Sequence, residues 1–167
     1  MKRLVIVLAI LVVGLLGYII YTAFLSPANP SEDTPATARP DTGKTLDLSG
    51  KNLDKVSADQ LDNTSITTLD VSGNKLTGAL PAEIRKLSNL EVLIASDNRL
   101  TGIPAEIGQL SKLRVANFAN NDLSGLPLEI GNLGKLETLD LRGNPKLSTY
   151  DLGLIRQKIP AATILTD

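Results

Sequence analysis

The stretch "LETLDLRGNPKL" (residues 136–147) places an asparagine, Asn144, near the end of a run of regularly spaced leucines. The same placement recurs upstream in "LEVLIASDNRL" (90–100) and "LRVANFANNDL" (113–123). The apolar alternation covers only a few residues in each copy, which favours one short strand per copy over a helix. Five such copies align on one column of residues, spaced 23, 24, 23 and 23 apart: Leu46, Leu69, Leu93, Ala116 and Leu139. A fixed period of this size predicts a solenoid whose stacked strands form a parallel sheet.

Residues 43–167 resemble the leucine-rich repeat family, in particular its 23-residue kind with a second half of the form L-P-x-E-I-G-x-L-x-x-L. That half stands in this sequence as "LPAEIRKLSNL" (80–90), "IPAEIGQLSKL" (103–113) and "LPLEIGNLGKL" (126–136). The resemblance implies an α/β solenoid with about five short parallel strands on the concave face and short helical or 3-10 return segments. In each return segment a proline is expected to begin the helical turn and an isoleucine to fill the convex side of the core.

In that family the asparagine stands where the strand turns away, and its side chain bonds to backbone groups of the turn and of the next repeat. A buried peptide group without a partner costs roughly 1–3 kcal/mol, and an amide side chain offers both a donor and an acceptor. We therefore expect a structural ladder along the solenoid, formed by Asn74, Asn98, Asn121 and Asn144.

The two ends of the repeat region (43–167) depart from the pattern. The first copy has Lys51 at the ladder position, so residues 43–65 are predicted to be an N-terminal capping repeat and residues 66–149 the regular repeats. Residues 150–167 are predicted to be a C-terminal cap, because a bare solenoid end would leave apolar surface and unpaired backbone in water. The cap is expected to contain a helix lined by Leu152, Leu154, Ile155 and Ile159, followed by an edge strand at 162–165.

One substitution inside the core stands out. The third and fourth copies place Ala95 and Ala116 where large inward residues are expected, and the fourth also brings in Phe118. Cores tolerate exchanges that conserve volume. We predict that the phenylalanine ring fills the space that the two alanines leave.

The N-terminal part differs sharply in character. Lys2 and Arg3 precede an uncharged run of 22 residues, 4–25, which as a helix would span roughly 33 Å, close to the thickness of a bilayer core. We predict a signal-anchor or transmembrane helix over 1–25 and a flexible Pro/Ser/Thr-rich linker over 26–42. The cationic start places the N-terminus in the cytoplasm and the repeats on the extracytoplasmic side. The alternative is a cleaved signal peptide, which would make the protein secreted.

Composition excludes several kinds of chemistry. The chain has no histidine and no cysteine, and its formal net charge is −1. These numbers argue against His-dependent catalysis, against Cys/His metal sites and against nucleic acid as a partner. Asp47 and Asp70 are predicted to lie on adjacent strands, where paired carboxylates could do acid–base chemistry or bind calcium. A flat strand face lacks the enclosed pocket that shifts carboxylate pKa values, so we expect no enzyme, no cofactor and no required metal.

Leucine-rich repeats bind other molecules, mostly proteins, on the concave face, so the resemblance implies a recognition module for another protein or peptide. On that face Val92, Ile94 and Val115 interrupt columns that are otherwise Thr, Asp and Ser, and an apolar patch with a polar rim often marks an interaction site. A passive envelope component is the alternative, and the sequence leaves both the concave and the convex face available. The candidate partner-binding residues are Asp70, Val92, Ile94, Ser96, Val115, Asn117, Ala119, Asp140 and Arg142.

Overall fold

A computed structural model describes residues 43–167 of the chain. The predicted transmembrane helix (1–25) and linker (26–42) lie outside the described residues. Within 43–167, no helix combines the length and the hydropathy needed to cross a membrane.

Each repeat contributes one short strand to a six-stranded parallel sheet, and neighbouring repeats contribute neighbouring strands. The apolar column of the sequence forms one continuous row across this sheet, with Leu46 paired to Leu69 and so on through to Ile164. Six strands form the sheet rather than about five, because the end of the C-terminal cap joins it. The strands are β1 (Lys44–Asp47), β2 (Ile66–Asp70), β4 (Val92–Ile94), β6 (Val115–Asn117), β7 (Thr138–Asp140) and β8 (Thr163–Leu165).

Two further strands, β3 (Thr77–Gly78) and β5 (Arg99–Leu100), form a second parallel sheet that the sequence analysis did not predict. Each is only two residues long, too short for an alternating pattern to reveal it. The pairing arises because adjacent repeats run side by side after the turn. The Arg99 N–H donates to the Leu76 carbonyl at 2.9 Å, and the Asp122 N–H donates to the Leu100 carbonyl at the same distance.

The return segments are single turns of 3-10 helix. Three of them follow a proline directly, and the carbonyl of Pro81 accepts the N–H of Ile84 at 3.0 Å, closing an i→i+3 turn. The isoleucine at this position is buried in all three copies, which fills the convex side of the core as expected. The helices are Ala58–Leu61, Ala82–Lys86, Ala105–Gln109 and Leu128–Asn132.

The core is built almost entirely of Leu, Ile and Val, with one aromatic ring at its centre. Phe118 is fully buried, as are Ala95 and Ala116. Phe118 directly follows Asn117, whose carbonyl accepts the Ala95 N–H at 2.8 Å, so Ala95 and Phe118 are brought close by the backbones of adjacent repeats. That the ring fills the space left by the two alanines stays a prediction, which the Phe118→Ala variant tests.

The C-terminal cap consists of a helix and an edge strand. The helix Thr149–Lys158 begins after Ser148, whose hydroxyl accepts the Asp151 N–H at 3.2 Å. Ile155 and Ile159 are buried against the core, and β8 pairs in parallel with β7. The cap therefore covers the last repeat much as a further repeat would.

Candidate functional site

The four asparagines form the same set of hydrogen bonds in successive repeats. The Asn144 side-chain nitrogen donates to the carbonyls of Phe118 and Leu141 at 3.0 and 2.9 Å, and its oxygen accepts the Leu123 N–H at 3.0 Å. Phe118 and Leu123 belong to the preceding repeat, which corrects the expectation that the side chain would reach the next one. Asn74, Asn98 and Asn121 repeat this geometry. Each asparagine thus pairs backbone groups that the turning strand leaves free.

One position before each ladder asparagine, the backbone is left-handed. Gly73 and Gly143 have φ of 62° and 68° there, and Asp97 and Asn120 have φ of 57° and 55°. In the first copy Gly50, before Lys51, has φ of 61°. Glycine adopts this conformation without strain, and Asp and Asn tolerate it better than other side chains. This requirement was not predicted, although the glycine shared by "SGK" (49–51), "SGN" (72–74) and "RGN" (142–144) was a usable signal.

The strand ends on the concave face are closed by Asx turns in four of the five repeats. In each, the side-chain oxygen of an Asp or Asn accepts the backbone N–H of the residue two positions later. The oxygen–nitrogen distances are 2.9 Å in the turns Asp47–Ser49, Asp70–Ser72 and Asn117–Ala119, and 3.1 Å in Asp140–Arg142. In the two turns that end at a serine, the same Asp oxygen also accepts the serine hydroxyl at 2.6 Å.

This use of the carboxylates argues for a structural role and against acid–base chemistry. Asp47 and Asp70 are aligned on adjacent strands, as predicted. The hydrogen bonds from the Ser49 hydroxyl and N–H lower the pKa of Asp47, whereas a general acid at neutral pH needs a raised one. Across residues 43–167, no group of three Asp, Glu, His or Cys side chains is arranged to hold a metal ion.

Arg142, near the C-terminal end of the sheet, forms an ion pair with Asp140, two residues before it. The Arg142 Nε donates to the Asp140 carboxylate at 2.9 Å, and this contact raises the pKa of the guanidinium. The Asp140 side chain is buried beneath it. Arg142 therefore reaches a partner only as part of an ion pair that already exists.

The nine predicted contact residues divide by accessibility. Neighbouring strands about 4.8 Å apart cover each other's short side chains, and the Asx turns fold the acids onto the backbone. As a result four of the nine are buried: Asp70, Ser96, Ala119 and Asp140. Val92, Ile94 and Val115, expected to be exposed, are half-buried, as is Asn117. We call these four half-buried residues the central concave patch.

The central concave patch is contiguous across two strands. Val92 is aligned with Val115, and Ile94 is aligned with Asn117. An ion pair lies next to it at the strand starts, where Arg114 donates to both oxygens of Glu137 at 2.8 and 3.0 Å. This pair was not predicted, because its only signal in the sequence is opposite charge at one repeat position. Because both side chains are exposed, its contribution to stability is small.

Other apolar side chains are exposed away from the strand face. Leu128 is 44% exposed in the third of the proline-preceded return helices, where the other two have alanine, and Tyr150 is 74% exposed in the C-terminal helix. They provide a comparison surface for any test of where a partner binds.

Comparison with known proteins agrees with this geometry. Family models described as leucine rich repeat match residues 65–87 and 88–145. A leucine-rich repeat protein of Leptospira interrogans is 39% identical with a TM-score of 0.63, over 66% of this chain and 28% of that one. A plant peptide hormone receptor, RGFR1, solved in complex with RGF2, is 32% identical with a TM-score of 0.58, over 73% of this chain and 20% of that one.

The ectodomain of the receptor kinase SOBIR1 from Arabidopsis thaliana is 27% identical with a TM-score of 0.57, over 72% of this chain and 66% of that one. No curated protein matches the sequence. The chain spans less than a third of the Leptospira protein and of the hormone receptor. The chain therefore contains leucine-rich repeats, and its structural neighbours are leucine-rich repeat proteins, a fold that is generally non-enzymatic and serves protein interaction.

Proposed function

We propose that the repeats are a non-catalytic recognition module that binds another protein or a peptide on the concave face, with Ile94 at the centre of the contact. The observation that carries this proposal is the central concave patch. It places three β-branched aliphatic side chains at positions where the flanking repeats have Thr and Asp. Strand propensity alone does not explain the choice, since Thr serves a strand equally well and fills the same column at positions 45, 68 and 138.

The shape of the face supports a macromolecular partner over a small ligand. Small-molecule sites are usually enclosed cavities, whereas this surface is a row of strands whose Asp side chains are hydrogen-bonded to their own backbone. The relatives support the same class of partner. RGFR1 was solved with RGF2, and the Arabidopsis receptor kinase HAESA was solved with the peptide hormone IDA and the co-receptor SERK1.

We further propose that residues 4–25 anchor the chain in a membrane and that the repeats, of the 23-residue kind, face the extracytoplasmic side. The uncharged length of this run and the cations before it support the proposal. Protease added to intact cells is expected to remove the repeats, and full protection would overturn the orientation. The mass of the mature chain separates the anchored form from a secreted one, because cleavage would remove the apolar run.

The binding proposal is tested with the double substitution Val92→Thr, Ile94→Asp in the full chain. Circular dichroism is expected to show an unchanged fold, because both side chains are half-buried on the strand face and outside the core. Retention of the partner that the wild-type chain captures is expected to be lost. The matched control is Leu128→Asp, which removes an exposed leucine from a return helix and is expected to leave retention intact. A folded double mutant that binds with unchanged affinity would move the site off the concave face.

A further inference from the structure

The asparagine ladder and the Asx turns are coupled through the backbone. If β2 continued as a regular strand, the Ser72 N–H would donate to the Leu48 carbonyl of the preceding strand. The Asn74 side chain already donates to that carbonyl, at 2.8 Å. The Ser72 N–H is therefore left without a strand partner, and the Asp70 carboxylate accepts it at 2.9 Å. In each repeat with a ladder asparagine, the N–H two positions before that asparagine therefore needs another acceptor, on the concave face.

The third repeat, which contains β4 and Asn98, lacks that acceptor. Asn98 donates to the Val71 carbonyl at 3.0 Å, so the Ser96 N–H loses its strand partner as Ser72 does. Ile94 stands where the other repeats have Asp or Asn, and an aliphatic side chain accepts no hydrogen bond. Within residues 43–167 neither the N–H nor the hydroxyl of Ser96 has a hydrogen-bond partner. Ser96 as a residue is only 8% exposed. Among the described residues no side-chain N or O atom is both buried and unpaired, so the Ser96 hydroxyl reaches the surface, where a partner can meet it.

The neighbouring strands supply complementary groups at the same level. Asp70 is aligned with Ile94 on the preceding strand, and its Oδ1 accepts from Ser72 while its Oδ2 has no donor among the described residues. Asn117 is aligned with Ile94 on the following strand, and its Oδ1 accepts from Ala119 while its Nδ2 has no acceptor in the same part of the chain. Within residues 43–167, two unpaired donors of Ser96 and an unpaired oxygen of Asp70 thus belong to neighbouring strand ends.

The chemistry of this arrangement selects an uncharged amide over a carboxylate. Asp47 and Asp70 already place two carboxylates on adjacent strands, and a carboxylate at Ser96 would add a third negative charge to that row at about one strand spacing, roughly 4.8 Å. A primary carboxamide offers an oxygen for the Ser96 donors and an NH2 group for the Asp70 oxygen. The chain already uses an amide in this way, since the Asn117 oxygen accepts the Ala119 N–H in the next repeat.

We propose that the third repeat binds the side-chain carboxamide of an asparagine or glutamine of its protein partner. The amide oxygen accepts from the Ser96 N–H and hydroxyl, the NH2 group donates to Asp70, and the aliphatic part of the partner packs on Val92, Ile94 and Val115. This inference rests on the proposed function, because it specifies what the central concave patch recognises.

The proposal is tested by nuclear magnetic resonance on the isotope-labelled full chain in mild detergent. The probe is N-acetyl-asparagine N-methylamide, and the matched controls are N-acetyl-alanine N-methylamide and N-acetyl-aspartate N-methylamide, neither of which contains a primary carboxamide. Saturable shifts of the Ser96 N–H are expected with the asparagine probe alone. An unmoved Ser96 N–H, or equal shifts from the alanine probe, would overturn the proposal.

A substitution at position 94 tests the proposal without relying on binding of the probe, which is expected to be weak. Ile94→Asn gives the third repeat its own acceptor, as Asn117 does for the fourth. Exchange of the Ser96 amide hydrogen is expected to slow by about tenfold, and the response to the probe is expected to disappear. Unchanged exchange in Ile94→Asn would contradict the missing-acceptor argument. Ile94→Val is the control, and it is expected to exchange as the wild-type chain does.

The two proposals fail in distinguishable ways. If the Val92→Thr, Ile94→Asp chain loses its partner while the Ser96 N–H ignores the asparagine probe, the carboxamide proposal fails and the recognition function stands. If that chain keeps its partner, both proposals fail.

Discussion

The second repeat (β2 and Asn74) and the third repeat (β4 and Asn98) share the same backbone hydrogen bonds but differ in their concave side chains. Asn74 and Asn98 make equivalent ladder bonds, and β2 and β4 are aligned residue for residue. On the concave side, however, Asp70 closes its own turn, whereas Ile94 offers no acceptor and the N–H of Ser96 has no partner within residues 43–167. Each repeat therefore has two separate structural roles. The ladder and the core set the backbone, so the strand face is free to differ between repeats and to specify a partner.

Among the core and ladder residues, Phe118 is expected to have the largest effect on the free energy of unfolding when substituted. Phe118→Ala removes the largest fully buried side chain beside Ala95, which is too small to close the cavity. We expect a loss of about 3–5 kcal/mol in the free energy of unfolding, measured by denaturant titration of the full chain. Leu128→Ala, at an exposed leucine, is the control and should change stability by no more than roughly 0.5 kcal/mol. A Phe118→Ala chain as stable as the wild type would show that the ring does not compensate for the alanines.

The ladder should come next in magnitude. Asn121→Ala leaves the buried Leu100 N–H without its acceptor and removes donors from the Ala95 and Phe118 carbonyls. We expect a loss of roughly 2–4 kcal/mol, from about 1–3 kcal/mol for each buried group left unpaired. Asn132→Ala, at an exposed asparagine of a return helix, is the control. Equal small losses in the two variants would refute a structural role for the ladder.

The difference between the two repeats is tested directly by making the second resemble the third. Asp70→Ala removes the acceptor of the Ser72 N–H and hydroxyl and should cost about 1–2 kcal/mol. Asp70→Asn keeps an acceptor oxygen, as Asn117 does, and should retain most of that stability. Thermal unfolding of both chains measures the contrast. If Asn proved no better than Ala, the Asx turn would not be the source of the stabilisation.

The smallest expected effect is a dependence on acid. Hydrogen bonds from Ser49 hold the folded pKa of Asp47 below its ordinary value of 3.8. A lowered folded pKa stabilises the protein above the unfolded value, and this contribution is lost as pH falls through the folded pKa. Because Asp47 is exposed, the change should be slight. Melting temperatures between neutral pH and about pH 2 should fall less steeply for Asp47→Asn than for wild type, and parallel curves would remove this carboxylate from the account.

Much of the fold follows from the period. The spacing of Leu46, Leu69, Leu93 and Leu139 predicts a strand in each repeat and its register, and the proline-led segments predict the return helices. The second sheet was not predictable because its strands are two residues long. The direction of the ladder was assigned wrongly, since the sequence does not show which neighbouring repeat has the free carbonyls.

The candidate site was less accessible to sequence reasoning. Column positions identify which side chains stand on the strand face, but not how far close strands cover them, so the burial of Ser96 and Ala119 was missed. The pairing of Arg142 with Asp140 was missed as well, because it depends on side-chain conformation. The missing acceptor at Ile94 becomes visible only once the Asx turns of the other repeats are known.

The central claim is that the concave face of the third repeat contacts the partner. Its most direct test is photo-cross-linking in cells that express the full chain, with a photoreactive amino acid placed at position 94, at position 47 on the same face, or at position 85 on a return helix. We predict that position 94 gives the strongest adduct, to one partner, and that position 85 gives none. A strong adduct from position 85 with none from position 94 would contradict the account.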